Sequence, residues 1–342
     1  MIYNLRTTHV PFLDKLLGGG TAPTGVYGIL GPTGIGKTHL ASMIACNGAT
    51  RGSAFQDRCH CSFPWVLLDI ETDFCMLKQR VVSHSAKVAR DNFGCPSDCI
   101  QPYEQARHSE LPRHQGQLVS EIDRCRHALE VLSRQLHPIC SEDLYENRPN
   151  GRNCKFTDFP EWIAASVGRF SAVKPLGGIV IDGVCNVWNY SSESSSKSER
   201  EFIQDFVDKF CRELSIRERC PVWITHQVSG TACRASPLAS LSHHHSARCK
   251  SFARTLDACF VLGSPSNESM FAIQCTKSNS GSAKLDRLVL KHDRNFATIV
   301  EVDGYDEDKY HQTWKQRPTG NSLLTQGQLE SLDEMLEQLR EA

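Results

Sequence analysis

Short, unbroken apolar runs alternate along this chain with longer stretches whose apolar residues recur every three or four positions. The runs fall at 26–30, 65–71, 177–182, 221–227 and 271–277. Apolar runs of four to eight residues suit strands buried on both faces of a sheet. Between them, Phe12, Leu13, Leu16 and Leu17 fit one helical face that Gly18-Gly19-Gly20 ends. Residues 39–45 and 76–92 also read as helical, the second with a basic outer face. A helix is expected at 118–132, where Leu118, Ile122, Cys125, Leu129 and Leu132 share a face. Over 199–219, Phe202, Phe206, Phe210 and Leu214 form a four-residue stripe, which reads as core. Runs at 285–290 and 297–302 predict a closing hairpin around Asp293-Arg294-Asn295. Leu329, Leu332, Leu336 and Leu339, with acids outside, predict a short acidic C-terminal helix behind a polar linker at 303–321.

Composition narrows the class without choosing a function. A chain of 342 residues holds roughly two domains, or one large α/β domain with insertions. A formal charge of −1 gives no global argument for nucleic acid, so any such surface must be local. The N-terminus lacks a basic-then-apolar leader, and no run approaches the roughly 20 apolar residues of a membrane span. The expectation is a protein of the cytoplasm, or of the nucleus if the source is eukaryotic, with no membrane partner. The 16 cysteines then read as free thiols or metal ligands before disulfides.

The chemistry begins at Gly31, Pro32, Thr33, Gly34, Ile35, Gly36, Lys37 and Thr38, a G-x-x-x-x-G-K-T loop between a predicted strand and a predicted helix. Glycines let successive backbone N–H groups turn toward phosphates, and the helix N-terminus adds its positive dipole end. With His39, these residues are the expected contacts for ATP. Lys37 is placed to bridge the β- and γ-phosphates, and the Thr38 hydroxyl to ligate Mg²⁺. The run at 177–182 ends in Asp182, the expected second Mg²⁺ holder at a strand's carboxyl end.

Leu13-Asp14, Leu16-Leu17 and the triple glycine, followed by this loop, resemble the entry to the RecA-like ATPase core. That superfamily includes strand-exchange recombinases, KaiC-like and RadA-like proteins and DnaB-type helicases. The resemblance covers residues 5–75 and 176–302, and it implies an α/β core with a mainly parallel central sheet flanked by helices. It also implies roles. Glu71 matches the water-activating glutamate at the end of the second strand, and Gln227 matches the γ-phosphate sensor. P-L-A-S-L and S-F-A-R-T-L-D-A-C-F-V-L track the helicase pattern, with Asp257 at its aspartate. Lys277 matches a lysine that reaches across a subunit boundary to a neighbour's γ-phosphate, which implies a ring or filament of identical subunits. The companion arginine of that K-x-R-x-G pattern is absent, because Asn279 stands there. Arg287 or Arg294 could substitute, Lys277 could suffice, or hydrolysis could be slow.

The stretch 228–250 contains Arg234, Arg248 and Lys250 and no acid, so it can contact phosphates without reading bases. It stands where recombinases and ring helicases place a DNA-binding loop, and single-stranded DNA is the expected partner. The serine-rich 191–198 reads as a flexible linker, with a DNA contact as the weaker alternative. The domain reading is a first part of the core at 1–94, a partly helical Cys/His-rich insertion at 95–160, the rest of the core at 161–302, and a linker with acidic helix at 303–342. Cys95 and Cys99 with neighbouring histidines suggest zinc, but the spacing matches no recognised finger, and scattered structural cysteines are the favoured account. Three functions stay open. They are a DNA-dependent ATPase of recombination, repair or replication, a KaiC-like regulatory ATPase that gates protein partners, and a weakly hydrolysing scaffold subunit.

Overall fold

The computed structural model describes residues 5–54, 63–70, 80, 134–140, 159–191, 197–228, 246, 252–263, 270–279, 287–293 and 298–302. The chain divides into a unit Met1–Tyr305 and a second, Asp306–Ala342, which lies outside the described residues together with the expected acidic helix.

The apolar runs form strands as their composition requires. In chain order the elements are α1 (Pro11–Leu17), β1 (Gly25–Gly31), α2 (Lys37–Ala54), β2 (Trp65–Asp69), β3 (Leu136–Ile139), α3 (Phe159–Ser171), β4 (Gly178–Asp182) and α4 (Val184–Tyr190). There follow α5 (Glu199–Asp205), a stretch of π-helix (Phe206–Cys211), α6 (Arg212–Glu218), β5 (Pro221–Gln227), β6 (Ala258–Gly263), β7 (Met270–Ser278), β8 (Arg287–Asp293) and β9 (Thr298–Glu301). One sheet joins the strands in the order β3-β2-β4-β5-β1-β6-β7-β8-β9. It is parallel from β3 to β6 and antiparallel from β6 to β9.

Successive strand residues point to opposite faces, and the continuous runs sort accordingly. Val26, Val66, Leu68, Ile179, Ile181, Val222 and Ile224 enter one core, beneath α3, α4 and the α5–α6 rod. Tyr27, Ile29, Trp65, Leu67, Val180 and Trp223 enter the other, beneath α1 and α2. There Trp223 lies between Tyr27 and Phe260, with ring centroids 4.9 and 5.9 Å away. Helix α2 is buried on all sides from Leu40 to Ala49, which explains its many small residues. Gly48 is one of them by necessity: a Cβ there would stand 2.2 Å from the Trp65 ring.

Three expectations change. The 199–219 helix exists, but a π-helical stretch replaces its middle and Arg219, at φ 52°, ends it. The wider turn breaks the four-residue stripe, so Phe202, Phe206 and Leu214 are buried while Phe210 only packs against the core's side. Within the stretch read as an insertion, Leu136–Ile139 is a strand paired in parallel with β2, so this part belongs to the sheet. The 76–92 stretch is described only at Arg80, which is helical and largely buried instead of lying on a basic outer face. The helix expected at 118–132, the Cys95/Cys99 cluster and Glu71 lie outside the described residues.

Candidate functional site

Parallel strands β2, β4, β5 and β1 end at the same edge of the sheet, which is where ligands sit in α/β folds. Register places their last residues side by side. Gly31 of β1 pairs with Gln227 of β5, and Asp69 of β2 pairs with Asp182 of β4. The residues read from sequence as Lys37, Thr38, His39, Asp182 and Gln227 therefore converge. With Thr33, Gly34, Gly36, Arg80, Cys185, Thr225 and His226, they line one cavity at this edge.

The phosphate loop leaves β1 and enters α2 at Lys37. Gly34 and Gly36 adopt φ of 79° and 99°, where L side chains are strained. At Gly36 there is also no room, since a Cβ would lie 2.2 Å from His292 Cε1. His292 of β8 thus braces the loop from outside, and its Nε2 lies 3.2 Å from the Ile35 carbonyl. A carbonyl only accepts, so that nitrogen carries the proton. Lys37 Nζ donates to the Pro32 carbonyl at 2.8 Å, inside its own loop. His39 sits between charged and aromatic neighbours. Burial first, then the Arg80 guanidinium and His292, push its pKa down from 6.5 to about 4, so its ring is neutral at physiological pH.

Asp182 is buried, and its two oxygens differ. Oδ1 accepts a hydrogen bond from the Thr225 hydroxyl, which itself accepts from the Gly183 N–H at 2.8 Å. Oδ2 is buried with no hydrogen-bond partner among the described residues. A buried carboxylate oxygen without a partner is costly, and a divalent cation would remove that cost. The donor set of Asp182 and the Thr38 hydroxyl is all oxygen, as Mg²⁺ prefers, so these residues fit the ion. Bound there, it would neutralise developing phosphate charge.

Beyond Gln227 the chain stays tethered to the site. Val228 N–H donates to the Gly31 carbonyl at 3.2 Å and bridges Ser246. His226, fully buried, stacks on Phe252 with centroids 4.5 Å apart. Val228, which opens the 228–250 stretch, is thus fastened to Gly31, where the phosphate loop begins. Arg234, Arg248 and Lys250 lie outside the described residues.

Lys277 and Asn279 are elsewhere. Lys277 pairs with Cys259, whose partner on β1 is Gly28, three residues before Gly31. The lysine therefore lies level with the middle of β1, two strands across the sheet, and outside the cavity that the phosphate loop lines. Its ammonium donates to the carbonyls of Ala253 (2.7 Å), Leu256 (2.6 Å) and Arg254, and desolvation moves its pKa below the usual lysine value. Asn279 donates to Leu256 through its side chain, and its backbone N–H donates to Asp257. Asp257 accepts from the Val26 N–H at 2.8 Å and pairs with Arg212, which fastens the start of β1 to α6. Its role is structural.

Thr225, Arg80 and His292 are among the residues of the site that escaped the sequence reading. Thr225 carried a faint signal, as a hydroxyl inside the apolar run 221–227. Arg80 had none, because a basic residue in an amphipathic stretch reads as solvated. His292 comes from the far hairpin and is brought to the loop only by the sheet order.

No protein-family model matches the sequence, and no curated protein sequence matches it. Solved structures do. One, an isolated ATPase domain, superimposes with a TM-score of 0.60 at 12% identity, covering 86% of this chain and 90% of that one. A DnaB-like replicative helicase, solved to show its interactions with primase, gives 0.62 at 10% identity and covers 88% of this chain, which spans 64% of the helicase. A KaiC-like protein from the hyperthermophilic archaeon Pyrococcus horikoshii OT3 gives 0.53 at 12% identity, covering 88% and 99%. With its largely parallel sheet and flanking helices, the chain has the fold of the RecA-like P-loop ATPases.

Proposed function

We propose that the chain binds ATP with Mg²⁺ and hydrolyses it, as an oligomeric RecA-like ATPase acting on single-stranded DNA in recombination, repair or replication. One observation carries the reading: Lys37, Thr38, Gln227 and an Asp182 oxygen without a partner meet at one sheet edge. In this reading the loop N–H groups and Lys37 hold the phosphates, and Thr38 and Asp182 hold the ion. Glu71 lies two residues past Asp69, whose register partner is Asp182, and this supports its role as the base that takes the water's proton. Lys277 lies outside the cavity that its own loop lines, which supports a role toward a neighbouring subunit in a homo-oligomer. The tether from Gln227 through Val228 supports coupling of nucleotide state to the 228–250 loop and its Arg234, Arg248 and Lys250.

A second reading, a KaiC-like regulatory ATPase without DNA, has one observation in its favour: Lys277 and Asn279 are engaged by their own backbone. Steady-state ATP hydrolysis with and without single-stranded DNA separates the two. The first predicts stimulation of about tenfold that disappears at high salt and in Lys37→Ala. Turnover indifferent to DNA selects the second, and ATP binding without turnover would leave a scaffold subunit.

A further inference from the structure

His292 stands behind the phosphate loop, outside the cavity lining, and touches the loop at two successive residues. Its Nε2–H donates to the Ile35 carbonyl at 3.2 Å. Its ring leaves no room for a Cβ at Gly36, and it packs against Phe271 and His39, with centroids 4.7 and 5.8 Å away. Contacts with the loop, a strand and a helix thus fix where the donor points. The Ile35 carbonyl and the Gly36 N–H belong to one peptide unit, which is planar and trans, so the two bonds point in opposite directions. The next peptide is fixed as well, because the Gly36 carbonyl accepts from the Leu40 N–H at 3.0 Å in the first turn of α2. Among the described residues the Gly36 N–H donates to no backbone carbonyl, and Gly36 itself lines the cavity.

We infer that His292 is a positioning residue of the nucleotide site: by holding the Ile35 carbonyl outward, it aims the Gly36 N–H at an oxygen of the incoming β-phosphate. This role rests on the proposed binding of ATP. Backbone N–H groups of such loops cradle the α- and β-phosphates, so the effect belongs to ADP and ATP alike and needs no Mg²⁺. His292 touches no substrate and moves no proton; it acts through the peptide between Ile35 and Gly36. Without the bond that peptide turns more freely, and its N–H must be ordered at the moment of binding, which costs affinity. A merely structural His292 would stabilise the hairpin and leave the affinity of the folded protein unchanged.

The test measures ADP and ATP binding without Mg²⁺, beside urea unfolding, in wild type, His292→Gln, His292→Asn and His292→Leu. Glutamine carries an N–H at the reach of Nε2, asparagine stops one bond short, and leucine has no donor. Asparagine and leucine should weaken ADP and ATP by the same factor, about five- to tenfold, while glutamine stays within about twofold of wild type. Ile35–Gly36 is the one Ile–Gly pair of the sequence, so carbonyl-¹³C isoleucine with ¹⁵N glycine isolates the Gly36 amide in an NMR spectrum. That amide should shift on ADP binding in wild type and His292→Gln, and much less in His292→Asn. Where leucine prevents folding, the asparagine and glutamine variants carry the comparison. Wild-type affinity in a folded asparagine or leucine variant overturns the inference alone. Equal loss in the glutamine variant, or a loss confined to ATP, does the same. A wild-type protein that binds neither nucleotide overturns the ATP reading and this one together.

Discussion

Thr225 shows how one hydroxyl orients Asp182, the aspartate proposed to hold Mg²⁺. It accepts from the Gly183 N–H and donates to Asp182 Oδ1, so the hydroxyl rotor has a single orientation and Oδ2 is left for the cavity. Outer partners of this kind typically change metal affinity by about 10–100-fold. Thr225→Val should therefore raise the Mg²⁺ concentration for half-maximal turnover by about tenfold or more, whereas Thr225→Ser, which keeps the oxygen, should stay near wild type. A magnesium titration at saturating ATP decides it, and an unshifted valine variant would remove Thr225 from the site. His39 supplies a pH dependence. Its folded pKa of about 4 lies below the ordinary 6.5, so between those values the unfolded chain binds a proton that the folded chain refuses. Its contribution to stability is whole above pH 6.5 and is lost as pH falls toward 4. His137, lowered by burial, adds in the same direction. Urea midpoints across that window should drop for wild type and flatten in His39→Gln, and parallel curves for the two proteins would contradict the assignment.

At the level of elements, strands were the legible part. Runs such as 177–182 are apolar up to their last residue because both faces of the parallel sheet are covered. The phosphate loop was legible for another reason: its residue types are forced by backbone geometry, as the Gly36–His292 contact shows. Strand β3 was not, because Leu136–Ile139 carries a histidine and a proline and lies at the sheet's edge, where half-buried positions tolerate them. The π-helical stretch was invisible too, since one wider turn leaves the spacing of Phe202, Phe206 and Phe210 unaltered in sequence. Pairings between distant elements, Arg80 with Asp69 or His292 with Ile35, come from topology and leave no local mark.

Across the described unit, the loop, Asp182, Gln227 and Arg80 gather at the carboxyl edge of the parallel strands, while Lys277 and Asn279 lie outside that cavity. In the proposed oligomer Lys277 would serve a neighbouring subunit, and Val228, which opens the 228–250 stretch, is tethered beside the phosphate loop. Everything rests on the carboxyl edge being one nucleotide site. Calorimetric titration of ATP in the presence of Mg²⁺ tests this most directly. The account predicts saturable binding at one site per chain, weakened by about tenfold or more in Lys37→Ala, and weakened in Asp182→Asn only when Mg²⁺ is present. Equal affinity in wild type and Lys37→Ala would contradict it.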